Sequence, residues 1–280
     1  MRYIIDHDLH IHTCLSRCAQ DFHQRPDRIL EYGLENGLHT LCITDHFWDE
    51  RVPGVKFGSE ECGSINAYAT QTYDHIRMVL PLPRHEGVRY LFGCETDMDL
   101  NYRIGVSPQV AKELDFIIVP TTHLHMRNFS YNEKTDNTHK RRAELWVERF
   151  QAVLDSGLPL RKVGIPHLTT ALFAVNKSWE GVAEALPLIT DDQMKHLFGQ
   201  AAKAGVGIEL NFEPFKVEKI MDIVLRPYRI AIECGCKFYL GSDAHTVGML
   251  QNAMADFNRM IDLLDLTEDQ KYIVPRKEEL

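Results

Sequence analysis

The segment DLHIHTCLSRC, Asp8 to Cys18, follows a short apolar start and places two histidines two residues apart. Side chains alternate between the two faces of a β-strand, so Asp8, His10 and His12 are predicted to share one face. Imidazoles at this spacing can bind one metal ion near the end of a strand. Asp8 is predicted to accept the second ring N–H of a ligating histidine and so fix its tautomer. The opposite face is apolar and suits packing against a helix.

Six more short apolar runs follow this first strand, which is predicted over 3–12. They cover 39–46, 88–97, 114–123, 161–167, 205–212 and 236–245. Helical patterns separate most of them, at 138–155, 190–204, 217–234 and 247–264, and another helix is predicted to start near Pro26. Such alternation is typical of a parallel α/β sheet. Seven strands favour a barrel or near-barrel, with an open doubly wound sheet as the alternative.

Residues of the types that can bind metals recur where these predicted strands end. Six of the fourteen histidines and two acids have this position: His10, His12, His46, His123, His167, His245, Glu95 and Asp243. In α/β barrels the carboxyl ends of the strands form the face that carries the active site. Imidazole and carboxylate ligands together suit zinc, manganese or iron. The sequence therefore predicts a metal centre at this face, and His125 could line it beside His123.

Composition narrows the class of protein and its partners. The 280 residues are 44% hydrophobic and 25% charged, with a net charge of −9, which disfavours nucleic acid or an anionic membrane as the main partner. We expect one domain over 1–280, with a frayed tail at about 268–280 and long loops at 47–64, 126–137 and 168–181. Seven cysteines without paired spacing, no apolar leader and no apolar run of eighteen residues predict a reducing, cytoplasmic location.

Taken in order, the motifs DLHIHT, ITDH, GCE, TTH, IPH and GSDAH resemble those of the polymerase-and-histidinol-phosphatase (PHP) superfamily. The resemblance runs from residue 8 to residue 245. It implies a distorted (β/α)7 barrel, a TIM-like fold, with two or three divalent metal ions at the mouth. It also implies hydrolysis of phosphoesters.

The resemblance assigns ligands to this chain position by position. His10, His12, Glu95 and Asp243 would hold one metal ion, and Glu95 would bridge to a second ion completed by His123 and His167. His46 and His245 would belong to a third site, whose remaining ligand in several relatives is a histidine at the position of Cys18. A thiolate there would favour zinc or iron. Alternatively, Cys18 is a small buried hydrophobe, and the third site is empty or completed by Asp21.

Two or three cations close together suit phosphoester hydrolysis by a metal-activated hydroxide. Glu95 would hold the metal pair, and Asp243 and His245 are the candidates for the leaving-group end of the reaction. Arg17, Arg127 and Lys177 lie on loops after strands that carry site residues, and are candidates to bind the substrate phosphate.

The length of the chain favours the histidinol-phosphatase-like branch and a small phosphomonoester. Histidinol phosphate, and with it a place in histidine biosynthesis, is the candidate substrate, although the start HTCLSRCAQD departs from that branch. A nucleotide phosphatase or phosphodiesterase of the same superfamily is the first alternative. An amidohydrolase-type C–N hydrolase and a non-catalytic metal-binding domain are the others.

Overall fold

A computed structural model describes residues 1–19, 21–53, 71–211, 213–276 and 279. Its strands are β1 (His7–Ile11), β2 (Thr40–Ile43), β3 (His46–Phe47), β4 (Arg89–Thr96), β5 (Phe116–Ile118), β6 (Val163–Ile165), β7 (Gly207–Leu210) and β8 (Lys237–Leu240). Its α-helices are α1 (Pro26–Glu35), α2 (Tyr73–Ile76), α3 (Pro108–Glu113), α4 (His139–Leu154), α5 (Trp179–Ala185), α6 (Asp191–Ala204), α7 (Met221–Glu233) and α8 (Val247–Leu264). No helix in these described ranges is long and apolar enough to span a membrane.

All strand pairings in the sheet are parallel, in the order β1-β2-β4-β5-β6-β7-β8, and the short β3 pairs with β4. The two ends of the sheet meet just beyond β8. There the Asp243 N–H donates to the His10 carbonyl at 2.8 Å, and the His12 N–H donates to the Ala244 carbonyl at 3.1 Å. The sheet is therefore nearly closed into a distorted TIM-like barrel, which confirms the predicted fold class.

The predicted second strand is divided into β2 and β3, because the ladder is interrupted at Thr44 and Asp45. Their carbonyls both accept a hydrogen bond from the Glu95 N–H, at 3.1 and 3.2 Å. This irregularity turns His46 toward the mouth of the barrel beside Glu95, its partner in the β3–β4 register.

The alternation predicted for the first strand breaks within β1, where the β1–β2 register shifts between Asp8 and Ile11. Leu9 belongs to a cluster inside the barrel with Phe116 and Tyr239, whose rings lie 5.2 Å apart although β5 and β8 are not neighbours. Ile11 packs in the cluster that contains the helices. The shift therefore brings Leu9 to the same interior as His10, and it separates Asp8 from the histidines.

The chain after α8 closes the amino-terminal end of the barrel. Tyr272 is buried, its N–H donates to the Phe238 carbonyl at 2.7 Å, and its hydroxyl donates to the Arg161 carbonyl at 2.8 Å. The frayed tail predicted from about residue 268 is therefore wrong as far as residue 274. Of the predicted loop at 47–64, residues 54–64 lie outside the described ranges.

Candidate metal centre

The eight predicted histidines and acids converge at the carboxyl ends of the strands. His10 lies in β1, His46 in β3 and Glu95 in β4, while His12, His123, His167, Asp243 and His245 lie on the turns that follow strands. Within the described part of the chain, these residues form three groups whose ligand atoms lie close enough to hold a metal ion. Two of the turns are strained, since His167 and Asp243 have positive φ angles of 29° and 51°.

The first group is made by His10, His12, Glu95 and Asp243. The two Nε2 atoms are 3.1 Å apart, and each lies 3.2–3.4 Å from Glu95 Oε2 and Asp243 Oδ1. Tetrahedral zinc with ligand bonds of about 2.0–2.1 Å separates its ligand atoms by about 3.3 Å. The distances in this group therefore match a four-coordinate zinc site.

Glu95 extends this arrangement because its two oxygens face different histidines. Oε2 faces the first group, while Oε1 lies 3.2 Å from His167 Nε2 and 3.8 Å from His123 Nε2. The His123 and His167 rings stack at 4.8 Å. The carboxylate is 1% exposed, and its two oxygens lie close to two different groups of potential ligands.

The third group consists of His12, His46 and His245. Cys18 lies beside it, with its Sγ 3.0 Å from His245 Nε2, but it is not one of the three converging residues. Asp21 instead accepts hydrogen bonds from the Val247 and His23 N–H groups on a neighbouring turn. Cys18 is therefore the nearer of the two candidates that the sequence offers to complete this site.

Buried acceptors fix the orientation of the two β1 histidines. His10 Nδ1 donates to Glu209 Oε1 at 2.5 Å, and His12 Nδ1 donates to the Ser16 hydroxyl at 2.9 Å. Ser16 accepts this bond because its own proton goes to Asp45 Oδ1 at 2.6 Å. Both rings therefore direct an Nε2 lone pair into the first group.

Three of the other four rings also have a hydrogen-bond partner at Nδ1. His123 Nδ1 donates to Asp97 Oδ1 at 2.7 Å, and His245 Nδ1 donates to the Asp243 carbonyl at 2.7 Å. His167 Nδ1 contacts the Thr122 hydroxyl at 3.1 Å. In each ring Nε2 is left for a ligand.

Sequence reasoning missed these orienting residues, of which Glu209 and Asp97 are the clearest. Asp97 lies two residues after Glu95, and Glu209 is an acid within an apolar strand; both features are visible in the sequence, and the structure buries both side chains. By contrast, Asp8 does not contact a histidine ring. Its carboxylate accepts from the Ser242 N–H, the Tyr32 hydroxyl and the His10 N–H, so it joins β1 to α1 and β8.

Burial and neighbouring charges have opposite effects on the pKa values of the residues in this centre. Burial disfavours protonated His12, but the adjacent Asp243 and Glu95 carboxylates outweigh it and raise the pKa of the ring to about 9. Burial likewise opposes ionisation of Glu95, but the charges of His10 and His46 hold its pKa well below the usual value. At His46 burial outweighs the nearby Glu95 charge and lowers the pKa of the ring to about 3. A metal ion bound here would release the protons of the rings that ligate it.

The residues fit a divalent metal on two independent grounds. The donors are imidazoles and carboxylates at ligand spacing, as zinc, manganese and iron sites require. In addition, His46 Nδ1 and Asp243 Oδ1 are buried atoms without a hydrogen-bond partner in the described ranges. Buried polar atoms normally have a hydrogen-bond partner. Both of these atoms belong to residues in the three groups of potential metal ligands.

Two cavities open onto the centre. The metal cavity, about 380 Å³, is bordered by Arg17, Cys18, His46, His125 and Met126 together with centre residues. The side chamber, about 610 Å³, is bordered by Thr170, Trp179, Asn211, Glu213, Asp256 and Phe257, among others. Leu172, Asp243 and His245 line both cavities.

The three predicted phosphate-binding residues are placed differently. Arg17 lines the metal cavity, and Lys177 lines the side chamber. Arg127 lines neither cavity and forms an exposed ion pair with Glu133 at 3.3 Å. Two of the three cations therefore line a cavity that opens onto the centre.

A buried arginine supports the loops that carry Asp97 and His123. The Arg149 guanidinium donates to the carbonyls of Thr121, Met98, Asp99 and Ser130, which lie on two different loops. It is fully buried, and burial lowers its pKa to about 10. One side chain thus ties the β4 and β5 loops to α4.

Comparisons with known proteins identify the family and the fold of this chain. The model of the family described as PHP domain matches residues 8–280. A histidinol phosphate phosphatase from Lactococcus lactis subsp. lactis, solved with zinc, L-histidinol and phosphate, superimposes with a TM-score of 0.60 at 15% identity, covering 96% of this chain and 98% of its own. A protein from Listeria monocytogenes assigned as a histidinol phosphatase gives 0.60 at 12% identity, covering 90% and 99%. At these identities the two structures share the fold with this chain. No curated protein matches the sequence.

Proposed function

This chain belongs to the PHP domain family, and we propose that it is a metal-dependent phosphoesterase that hydrolyses a small phosphomonoester. The observation that carries the proposal is the position of Glu95, whose two oxygens face two separate histidine groups. We propose histidinol phosphate as the first substrate to test, because the Lactococcus lactis protein of the same fold was solved with L-histidinol and phosphate.

We propose His10, His12, Glu95 and Asp243 as ligands of one ion, and Glu95, His123 and His167 as ligands of a second. His46 and His245 would hold a third ion, with the Cys18 thiolate as the remaining protein ligand. Bound divalent cations act as Lewis acids that lower the pKa of water and offset charge on phosphoryl oxygens. Zinc is the ion that the distances in the first group and the Cys18 thiol favour.

The chain's own residues would position the substrate between the two cavities. Arg17 at the metal cavity and Lys177 at the side chamber are proposed to bind the phosphoryl oxygens. Asp243 and His245 line both cavities, so a leaving alcohol in the side chamber would meet them first. We propose that this pair supplies the proton or charge that the leaving oxygen needs.

We also propose a cellular location for this protein. The six described cysteines are free thiols, which supports a reducing, cytoplasmic compartment.

The test is phosphate release from a panel of phosphomonoesters, including L-histidinol phosphate and nucleotides. The protein is first stripped with a chelator and then restored with zinc, manganese or iron. We expect release that depends on metal and falls at least about 100-fold in Glu95→Gln, while the matched surface variant Glu218→Gln keeps full activity. Metal-dependent release from nucleotides but not from L-histidinol phosphate would keep the phosphoesterase proposal and change its substrate. Metal binding without release from any ester would refute it and favour a diesterase, a C–N hydrolase or a non-catalytic metal-binding domain.

A further inference from the structure

The barrel closes between β1 and β8 through a side chain as well as through backbone pairs. The described strands β1 and β8 lie at the two ends of the sheet, and no ladder joins them. We call the line of contacts between residues 7–12 and 240–244 the seam. At the mouth, backbone N–H groups donate across the seam, but deeper in the barrel the Leu240 N–H donates to His7 Nε2 at 3.0 Å. An imidazole therefore takes the place of a ladder partner where the barrel closes.

His7 can accept this bond because its other ring nitrogen carries the proton. Nδ1 lies 2.7 Å from Asp6 Oδ1 and donates to that carboxylate. The Tyr3 hydroxyl lies 3.3 Å from Nε2, but its proton goes to the Phe238 carbonyl at 2.7 Å. The His7 ring is 4% exposed, and burial lowers its pKa. Nε2 therefore keeps a lone pair, to which the Leu240 N–H donates.

Asp6 is held in turn by the segment after α8. Lys271 Nζ donates to Asp6 Oδ2 at 2.9 Å and pairs with Glu268 Oε1 at 2.7 Å. The Lys271 side chain is 4% exposed, and its Nζ lies 5.1 Å from the centroid of the Tyr3 ring. Burial opposes ionisation of Asp6, but hydrogen bonds from His7 and Lys271 outweigh it and lower the pKa of Asp6 to about 2. These contacts fix the His7 tautomer on which the seam depends.

The proposed ligands of the first metal ion lie on both sides of the seam. His10 and His12 belong to β1 and the turn after it, whereas Asp243 follows β8. The second group of potential ligands is built from β4 and from the turns after β5 and β6. Opening of the seam would therefore separate the ligands of the first group and leave the second group in place.

We propose that His7 is a positioning residue that closes the seam and thereby holds His10 and His12 at ligand distance from Asp243. The ligand assignment rests on the proposed function, but closure of the seam is a property of the metal-free barrel. Without the imidazole acceptor, the buried Leu240 N–H would have no partner, and an unpaired buried donor is costly.

The first test measures amide hydrogen exchange in the metal-free protein by NMR. In His7→Leu, the Asp243 and His12 amides should exchange at least about tenfold faster, because loss of a buried acceptor favours local opening of the seam. The Val119 amide, which donates to the Gly164 carbonyl at 2.9 Å, reports on the opposite part of the sheet. Its exchange should stay within about twofold of the wild type, since local opening leaves distant strands protected.

Two matched variants control this test. His7→Gln has a side-chain oxygen that can accept from the Leu240 N–H, so it should restore much of the protection. His39→Leu, an exposed histidine at the same end of the barrel, should change no rate. If His7→Leu does not fold, Lys271→Met is the second variant, and it should accelerate the same seam amides selectively. Unchanged seam exchange in the folded variant, or equal acceleration of the Val119 amide, would overturn the inference.

Zinc competition separates this inference from the proposed function. In a His123→Ala background, which disables the second group, His7→Leu should lower zinc affinity at least about threefold, because the first group is less preorganised. In an Asp243→Ala background, which disables the first group, the same change should have no effect. Equal losses in both backgrounds, or no loss in His123→Ala, would overturn the positioning role. If neither background binds zinc, the proposed function fails, and the exchange rates decide whether His7 closes the seam.

Discussion

Replacing Glu209 with glutamine tests whether the buried acceptors behind the histidines tune the metal centre. Glu209 is fully buried and accepts two hydrogen bonds, from His10 Nδ1 at 2.5 Å and from the His167 N–H at 2.8 Å. Glutamine has the same shape but only one acceptor oxygen, so its NH₂ group must face one of these two donors. The variant therefore either releases the His10 ring or loses the bond that shapes the His167 turn.

The expected loss of zinc affinity follows from the hydrogen bond between Glu209 and His10, a proposed metal ligand. Losing such a partner typically lowers metal affinity by about 10–100-fold, which corresponds to roughly 1.4–2.7 kcal/mol. The unpaired buried donor should in addition lower the free energy of unfolding by about 1–3 kcal/mol. We expect both effects in Glu209→Gln, and neither in Glu218→Gln, whose side chain is exposed.

The assay is competition for zinc with a chromophoric chelator, run on the wild type and both variants, with urea unfolding of each metal-free protein. Far-ultraviolet circular dichroism would establish that Glu209→Gln is folded before its affinity is compared. A folded Glu209→Gln protein that binds zinc within twofold of the wild type would refute the reasoning. Glu209 would then be an acid that supports the barrel without acting on the metal.

Four further results are expected. Gly241→Ala would place a methyl group against the Glu209 carboxylate and His10 Cβ, so zinc affinity should fall together with about 1–3 kcal/mol of stability, measured by chelator competition and urea unfolding. Arg149→Met would leave buried carbonyls without a donor and should cost about 3 kcal/mol or more in urea unfolding; a loss below 1 kcal/mol would contradict the role given to this side chain. Neighbouring carboxylates raise the pKa of His12 to about 9 and raise that of His10 as well, and each ring must lose a proton to ligate, so the apparent zinc affinity should fall at least about tenfold for each pH unit from 9 to 7, and a flat profile would count against their ligation. Cobalt-substituted wild type should show a thiolate-to-cobalt charge-transfer band that Cys18→Ser lacks, and identical spectra would exclude Cys18 as a ligand.

Local patterns in the sequence predicted the fold, and the residues they proposed as ligands lie together in the structure. Helix α8 runs over Val247–Leu264, as its apolar spacing predicts, and α1 begins at Pro26. The histidines and acids converge because parallel strands bring their carboxyl ends to one face, which needs only the strand order along the chain. Helix α7 begins at Met221 rather than at 217, since a short 3₁₀ turn over Glu218–Ile220 precedes it.

The features that the sequence did not predict depend on contacts between distant parts of the chain. The register shift in β1 depends on its pairing with β2, and next to it Asp8 faces Tyr32 rather than a histidine ring. Tyr272 belongs to a segment that looks like a polar tail, but it is buried against β8. Glu209 could have been suspected as an acid in an apolar strand, but its partner His10 lies 199 residues away.

The shared carboxylate of Glu95 makes the occupancies of the two neighbouring groups interdependent. An ion held through Oε2 fixes the orientation of the whole carboxylate, and so also of the Oε1 atom that faces His167. A second ion would then meet an oxygen whose rotational freedom is already lost, although two cations there would also repel each other. Linkage requires that each ion would alter the affinity of the other by the same factor, so two bound ions would be coupled, and the balance of ordering and repulsion would set the sign of that coupling. A titration that follows zinc occupancy of wild type and of His123→Ala would measure this coupling energy directly, because the variant weakens the second group and leaves the first intact.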